Sequence, residues 1–280
     1  MGYYEFTITV ADESRDALLE RMSQAGCLGV VETDSTLIAY FTDLTGIDSI
    51  LDDLGCSRSV LEEAGLPSGF TFEYVFLSER DWNESWKKKF EPILVGENLS
   101  VVPPWDTSDT GRMTLIIDPG MAFGTGHHET TKNCLALIER LAGEVNRGAF
   151  LDVGTGTGIL AIAASKLGFE QVVGVDIDPL ALSAAHRNIA SNRLVNIQIR
   201  EGSLSSAEGL FDMIAANILK EVLLGMAPGI AARLKRPGTA LLSGMLTGQE
   251  DEVIAAVERE GLRCREKIVD GRWVSLIVSH

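Results

Sequence analysis

The hydrophobic pattern changes period along the chain. From Tyr3 to Val10 apolar and polar residues alternate as on a half-buried strand, and from Asp12 to Gly26 the spacing of Leu18, Leu19 and Met22 predicts a capped amphipathic helix. Leu28 to Glu32 and Thr36 to Phe41 are β-rich runs on either side of Thr33-Asp34-Ser35, which reads as a hairpin. A helix near Ile47 to Leu54, extending toward Ala64, and a strand from Phe70 to Leu77 complete the segment. Asp81 to Phe90 then predicts a short helix, with Trp82 and Trp86 on one side and a stop before Pro92. From Ala149 the pattern becomes strand and helix in turn: strands at 150–153, 172–176, 197–200, 213–217 and 240–243, and helices at 159–167, 181–191, 222–234 and 253–260. The chain ends on two β-rich runs, Cys264 to Val269 and Trp273 to Val278, flanking Asp270-Gly271, a strong hairpin signal that makes the last strand antiparallel.

The β-α-β-β-α-β order of the first part is that of the ferredoxin-like sandwich, an α+β arrangement. The second part reads as doubly wound α/β with a seven-stranded sheet. The expected domains are residues 1–78, a linker helix over 79–91, and 92–280. Lys87, Lys88 and Lys89 read as a solvated face, and the two tryptophans as packing residues.

Composition narrows the function classes. The 280 residues carry a formal charge of −16, and residues 1–80, with four arginines against fifteen acidic side chains, hold −11 of it. A surface of that sign repels phosphate backbones and attracts basic partners, so direct nucleic-acid binding is not expected; solubility is the plainer use of the charge. Val153 to Ser165, with no charged residue, is too short to cross a bilayer, and the start lacks the basic and apolar regions of a secretory signal, which predicts a cytoplasmic protein without membrane association. Cys27, Cys56, Cys134 and Cys264 have no metal or redox spacing and are expected reduced and buried. His128-Glu129 is followed by Lys132 where a zinc helix needs its second histidine, so no metal is expected.

The chemistry concentrates on three segments. Asp152-Val-Gly154-Thr-Gly156-Thr-Gly158 follows one strand and opens a helix, where absent side chains and backbone amides let a ligand approach closely. A dinucleotide fingerprint would place its third glycine at position 159, which is Ile159. Asp176, at the end of the next strand, can accept both hydroxyls of a ribose and so supports a nucleoside without choosing one. Asn217-Ile218-Leu219 ends the fourth strand at the edge where open α/β sheets bind ligands, and its amide oxygen, with a nearby backbone carbonyl, can orient a primary amine. Asp118 to Thr131 is glycine-rich, with Thr130 or Thr131 as the expected N-cap of the helix that follows.

The G-x-G-x-G spacing resembles the S-adenosylmethionine loop, and the strand pattern resembles class I methyltransferases. Asp118-Pro119-Gly120-Met121-Ala122-Phe123-Gly124-Thr125-Gly126-His127-His128-Glu129-Thr130-Thr131 closely resembles the motif D-P-G-x-A-F-G-T-G-T-H-P-T-T of the ribosomal protein L11 methyltransferases (PrmA type), and with Ala216-Asn217-Ile218-Leu219 and Leu242-Ser243-Gly244-Met245-Leu246 the likeness covers nearly the whole chain. His127, Glu129, Thr155 and Thr157 depart from the family pattern. The resemblance implies S-adenosylmethionine as cofactor, with contacts from Thr131, Gly154, Gly156, Gly158, Asp176 and Asn217 and with Phe123 covering it. It implies lysine side chains, and a terminal amine, of ribosomal protein L11 as substrate. Asn217 would be the catalytic amide, His127 or His128 a minor candidate for base, and the acidic first domain the docking module of a monomer. Another protein lysine or a small-molecule amine remains the alternative substrate, and cofactor binding for regulation alone the alternative role.

Overall fold

In the computed structural model, described for residues 2–33, 36–78, 91–118, 126 and 128–280, the chain forms two compact units, Met1–Phe90 and Glu91–His280. The side chains of Asp16, Glu32 and Ser78, the Asp81 to Phe90 helix expected from the sequence, and Phe123 and His127 lie outside the described residues.

The first unit is a four-stranded antiparallel sheet in the order β2-β3-β1-β4, from β1 (Gly2–Thr9), β2 (Gly29–Glu32), β3 (Thr36–Thr42) and β4 (Thr71–Ser78). Helices α1 (Asp12–Gln24) and α2 (Ile47–Glu63) join β1 to β2 and β3 to β4. With β3 between β1 and β2, this is the connectivity of the β-α-β-β-α-β reading. Period-2 residues Phe6 and Ile8 meet Leu18 and Met22 of α1 and Ile50, Leu54 and Leu61 of α2 in one core. Burying each such side chain stabilises the fold by about 2 kcal/mol. The expected cap of α1 is missing: Ala11 occupies the N-cap and has no side-chain acceptor.

The second unit opens with a small sheet that the sequence pattern did not suggest, β5 (Ile93–Val95), β6 (Leu99–Val102) and β7 (Met113–Ile116). These strands are three or four residues long, too short to establish a period, and the buried LSVV run of β6 does not alternate. Then come α3 (Glu129–Leu141), β8 (Ala149–Val153), α4 (Ile159–Lys166), β9 (Gln171–Asp176), α5 (Pro179–Ser191), β10 (Ile197–Glu201), β11 (Phe211–Asn217), α6 (Lys220–Arg233), β12 (Leu234–Leu246), α7 (Glu250–Arg259), β13 (Arg263–Asp270) and β14 (Trp273–Ser279). The seven strands lie in the order β10-β9-β8-β11-β12-β14-β13, with β14 antiparallel to both neighbours and the other six parallel. The two-residue turn is Gly271-Arg272 rather than Asp270-Gly271, since Asp270 already pairs with Trp273 and Gly271 takes the positive φ.

Both faces of the sheet are covered, which explains why its parallel strands read as apolar runs. One face packs on α3, α4 and the small sheet through Phe150, Met213, Ala215, Leu135 and Ile162. The other packs on α6 and α7 through Leu151, Ile214, Leu223 and Val253. Strand order reverses between β8 and β11, which opens a crevice outside their carboxyl ends. Among the described residues no helix is long and apolar enough to cross a membrane. All four cysteines are free, but only Cys134 is buried; Cys56 sits on the exposed side of α2, where its neighbours Leu54 and Ser57 take the inward positions.

Candidate active site

Register alone brings two of the expected segments together. Val153 of β8 is level with Ala216 of β11, so the glycine loop and Asn217 leave adjacent strands side by side, and Asn217 is level with Ser243 of β12. Gly154, Gly156 and Gly158 all have positive φ (71°, 53° and 81°), the left-handed region that a side chain disfavours. At Gly154 there is a second reason: a Cβ would fall 2.5 Å from Ile218 Cγ2, so the loop and the Asn217-Ile218 edge touch because position 154 has no side chain.

The loop's amides are mostly engaged with the protein itself. Gly154 and Thr155 N–H donate to the Val175 carbonyl, Gly158 N–H to the Thr155 carbonyl, and Gly156 N–H to Asp176 Oδ2 at 2.8 Å. The expectation of amides free for a ligand therefore fails for these four, and missing side chains are what the loop offers. The helix start is occupied too: Asp152, fully buried at the end of β8, accepts Thr155 Oγ1 at 2.7 Å and the Ala161 N–H at 3.2 Å. A carboxylate already stands where a pyrophosphate would seek the positive end of α4, which disfavours a dinucleotide. Burial, reinforced by the charge of Asp176, pushes Asp152 up to about 7 against the pull of those hydrogen bonds.

Asp176 ends β9 with Oδ1 accepting the Asp178 N–H at 3.0 Å and Oδ2 the Gly156 N–H, which fixes the carboxylate and leaves lone pairs for two hydroxyls. Asp178 then caps α5 through Leu180 N–H at 2.8 Å, with Pro179 at the first helical position, as the sequence predicts. The cap of α3 differs from expectation. His128, not Thr130 or Thr131, is the N-cap; its Nδ1 accepts from Thr130 N–H, and both threonines are buried inside the first turn. The imidazole Nδ1 takes the place of the serine or asparagine oxygen that caps helices elsewhere.

Three buried oxygens here have no hydrogen-bond partner: Thr131 Oγ1, Asp152 Oδ1 and Asn217 Oδ1. Buried polar atoms are normally paired, so these three, on residues at the start of α3, near the end of β8 and at the end of β11, are unusual. Beneath them runs a buried chain. Ser243 Oγ lies 2.8 Å from Ser275 Oγ and also bonds Cys134, whose thiol burial pushes up to about 12, too high for a nucleophile. Sequence reasoning missed this chain, because the antiparallel placement of β14 brings Ser275 beside Ser243. It also missed Trp273, whose ring lies 4.9 Å from that of His128.

A family model described as "Ribosomal protein L11 methyltransferase (PrmA)" matches residues 2–280. The chain belongs to this family. The Myxococcus xanthus protein named ribosomal protein L11 methyltransferase is 34% identical over 98% of this chain and 97% of its own length. That of Pelobacter propionicus is 39% identical over 86% and 81%. Among solved structures, the ribosomal protein L11 methylase of Lactobacillus delbrueckii subsp. bulgaricus superposes with a TM-score of 0.64 at 35% identity, over 68% of this chain and 99% of that one. The chain is thus a class I methyltransferase of ribosomal protein L11, with S-adenosylmethionine as its methyl donor. The crevice is compatible with that nucleoside: the Asp176 carboxylate is fixed by two backbone N–H groups, and three of the loop's five residues have no side chain.

Proposed function

We propose that the chain methylates lysine ε-amines, and the terminal α-amine, of ribosomal protein L11, acting as a cytoplasmic monomer without direct nucleic-acid contact. The observation that carries the reading is the buried, unpartnered Asn217 Oδ1, one strand from the glycine loop. When bound, S-adenosylmethionine supplies an electrophilic methyl on a sulfonium. Gly154, Gly156 and Gly158 admit the donor to the loop, Asp176 holds its ribose, and Thr131 contacts it from the first turn of α3; the family resemblance implies Phe123 as its cover. Asn217 Oδ1 accepts an N–H of the incoming amine, and the Ile218 carbonyl is the backbone acceptor one peptide on, so that the nitrogen lone pair is aimed at the methyl carbon.

The amine must arrive neutral. At pH 7 deprotonating a lysine of pKa about 10.4 costs about 4.6 kcal/mol, and a dry crevice lowers that cost by disfavouring the charged form. Water can take the proton before docking. His128 serves as helix cap, with Nδ1 committed to Thr130, and is not needed as base. The acidic first unit offers a surface that attracts a basic protein substrate, which supports its use as the docking module.

Asn217→Ala tests the amide. Because its Oδ1 has no partner to lose, we expect stability within about 1 kcal/mol of wild type and turnover on L11 reduced by about 100-fold. Single-turnover methylation at wild-type rate would remove Asn217 as the amine positioner.

A further inference from the structure

Long-range side-chain-to-backbone bonds of the methyltransferase unit converge on two asparagines that no catalytic argument uses. Asn188 and Asn192 lie one turn apart on α5 and at its C-cap, and both are buried. Asn192 acts as a substitute strand for the free edge of β7: Ile116 N–H donates to its Oδ1 at 3.0 Å, and its Nδ2 donates to the Ile116 carbonyl at 2.6 Å and to the Asn188 carbonyl at 2.8 Å. Asn188 does something different. Its Oδ1 accepts the Asp118 N–H at 2.9 Å, and its Nδ2 donates to the Thr157 carbonyl, also at 2.9 Å. One side-chain amide therefore ties the chain that leaves β7 to the last peptide before Gly158.

That peptide matters for geometry. Gly158 N–H is held by the Thr155 carbonyl and the Thr157 carbonyl by Asn188, so both ends of the Thr157–Gly158 peptide plane are fixed. Gly158 is the positive-φ N-cap of α4, and a Cβ placed there would fall 3.2 Å from Ala185 Cβ on α5. A loop of alternating glycines has little stiffness of its own. Bonds within the turn and to Asp152, Val175 and Asp176 hold part of its shape, and Asn188 is the side chain on α5 that adds a further contact.

We propose that Asn188 is a positioning residue for the cofactor crevice: by locking the Thr157–Gly158 peptide to the backbone at Asp118, it holds the glycine loop in its binding shape, whereas Asn192 only fastens β7 to α5. This rests on the reading of the loop as the S-adenosylmethionine site. Asn188→Asp keeps the size of the side chain and an acceptor for Asp118 N–H, but sets a carboxylate oxygen against the Thr157 carbonyl. Asn192→Ala removes a comparable number of buried hydrogen bonds without touching the loop.

The experiment is calorimetric titration of the full-length variants with S-adenosylhomocysteine, alongside thermal melting. Asn188→Ala and Asn188→Asp are expected to weaken binding about tenfold or more, equivalent to about 1.4 kcal/mol. Asn192→Ala should lower the melting temperature while holding affinity within twofold. Should Asn188→Ala fail to fold, the near-isosteric Asn188→Asp carries the comparison. Wild-type affinity in Asn188→Asp, or an equal loss in Asn192→Ala, would overturn the assignment. Failure of the wild-type chain to bind the nucleoside would instead defeat the underlying reading of the loop.

Discussion

At the scale of single residues, the crevice is defined by what its polar atoms lack. Asp152 has both of its donors on Oδ2, leaving Oδ1 buried without one. Its folded pKa, about 7, stands above the unfolded value near 3.8, so the folded state binds more protons between those limits. Stability from this group is greatest at low pH, declines as pH rises through that window, and is fully lost above about 7. Asn at this position can accept the same two donors without charging. The melting temperature of Asp152→Asn should therefore gain on wild type from pH 5 to about pH 7 in the ligand-free protein and level off above that, and parallel curves throughout would show that Asp152 does not titrate there. The glycine spacing made the loop visible in the sequence, and Asp176 and Asn217 followed from their places at strand ends. Asn188 was not visible, because its partners, Asp118 and Thr157, are backbone groups that become neighbours only through packing.

At the scale of elements, the reacting edge is clamped from two sides. Ile218 fits the space left by Gly154 on one side, and on the other a Cβ at Gly244 would fall 2.5 Å from the Ile218 carbonyl oxygen and 2.8 Å from its nitrogen. Gly244 also has a φ of +90°, so a side chain there is strained as well as crowded. Gly244→Ala should push the Ile218 peptide away from β12, lowering stability by about 1–3 kcal/mol and turnover by more than tenfold. Stopped-flow methylation that matched wild type would show that the edge is not held by this contact. The alternation of strands and helices after Ala149 was legible because doubly wound sheets leave long apolar runs with glycine-rich connections. The sheet of β5, β6 and β7 was not, since its strands are short and its outer edge is finished by Asn192 rather than by another strand. The cap of α3 was misplaced by two or three residues because histidine capped a helix whose first turn also holds two threonines.

At the scale of the whole molecule, charge and chemistry are divided between the two halves of the sequence. The first 80 residues carry −11, and the remaining 200 carry −5 together with every residue assigned to the crevice. Under the proposed reading, long-range attraction would gather a basic protein substrate on the acidic unit while the other unit holds the site for the amine. The same reading predicts that donor binding is a property of residues 91–280, where the fold places the loop, Asp176 and Asn217 around one switch point. The most direct measurement is mass spectrometry of ribosomal proteins incubated with the full-length chain and S-adenosylmethionine. Whole-methyl mass increments on lysine residues and the terminal amine of L11 are the expected result, and L11 left unmodified while another protein or a small amine takes the methyl would contradict it.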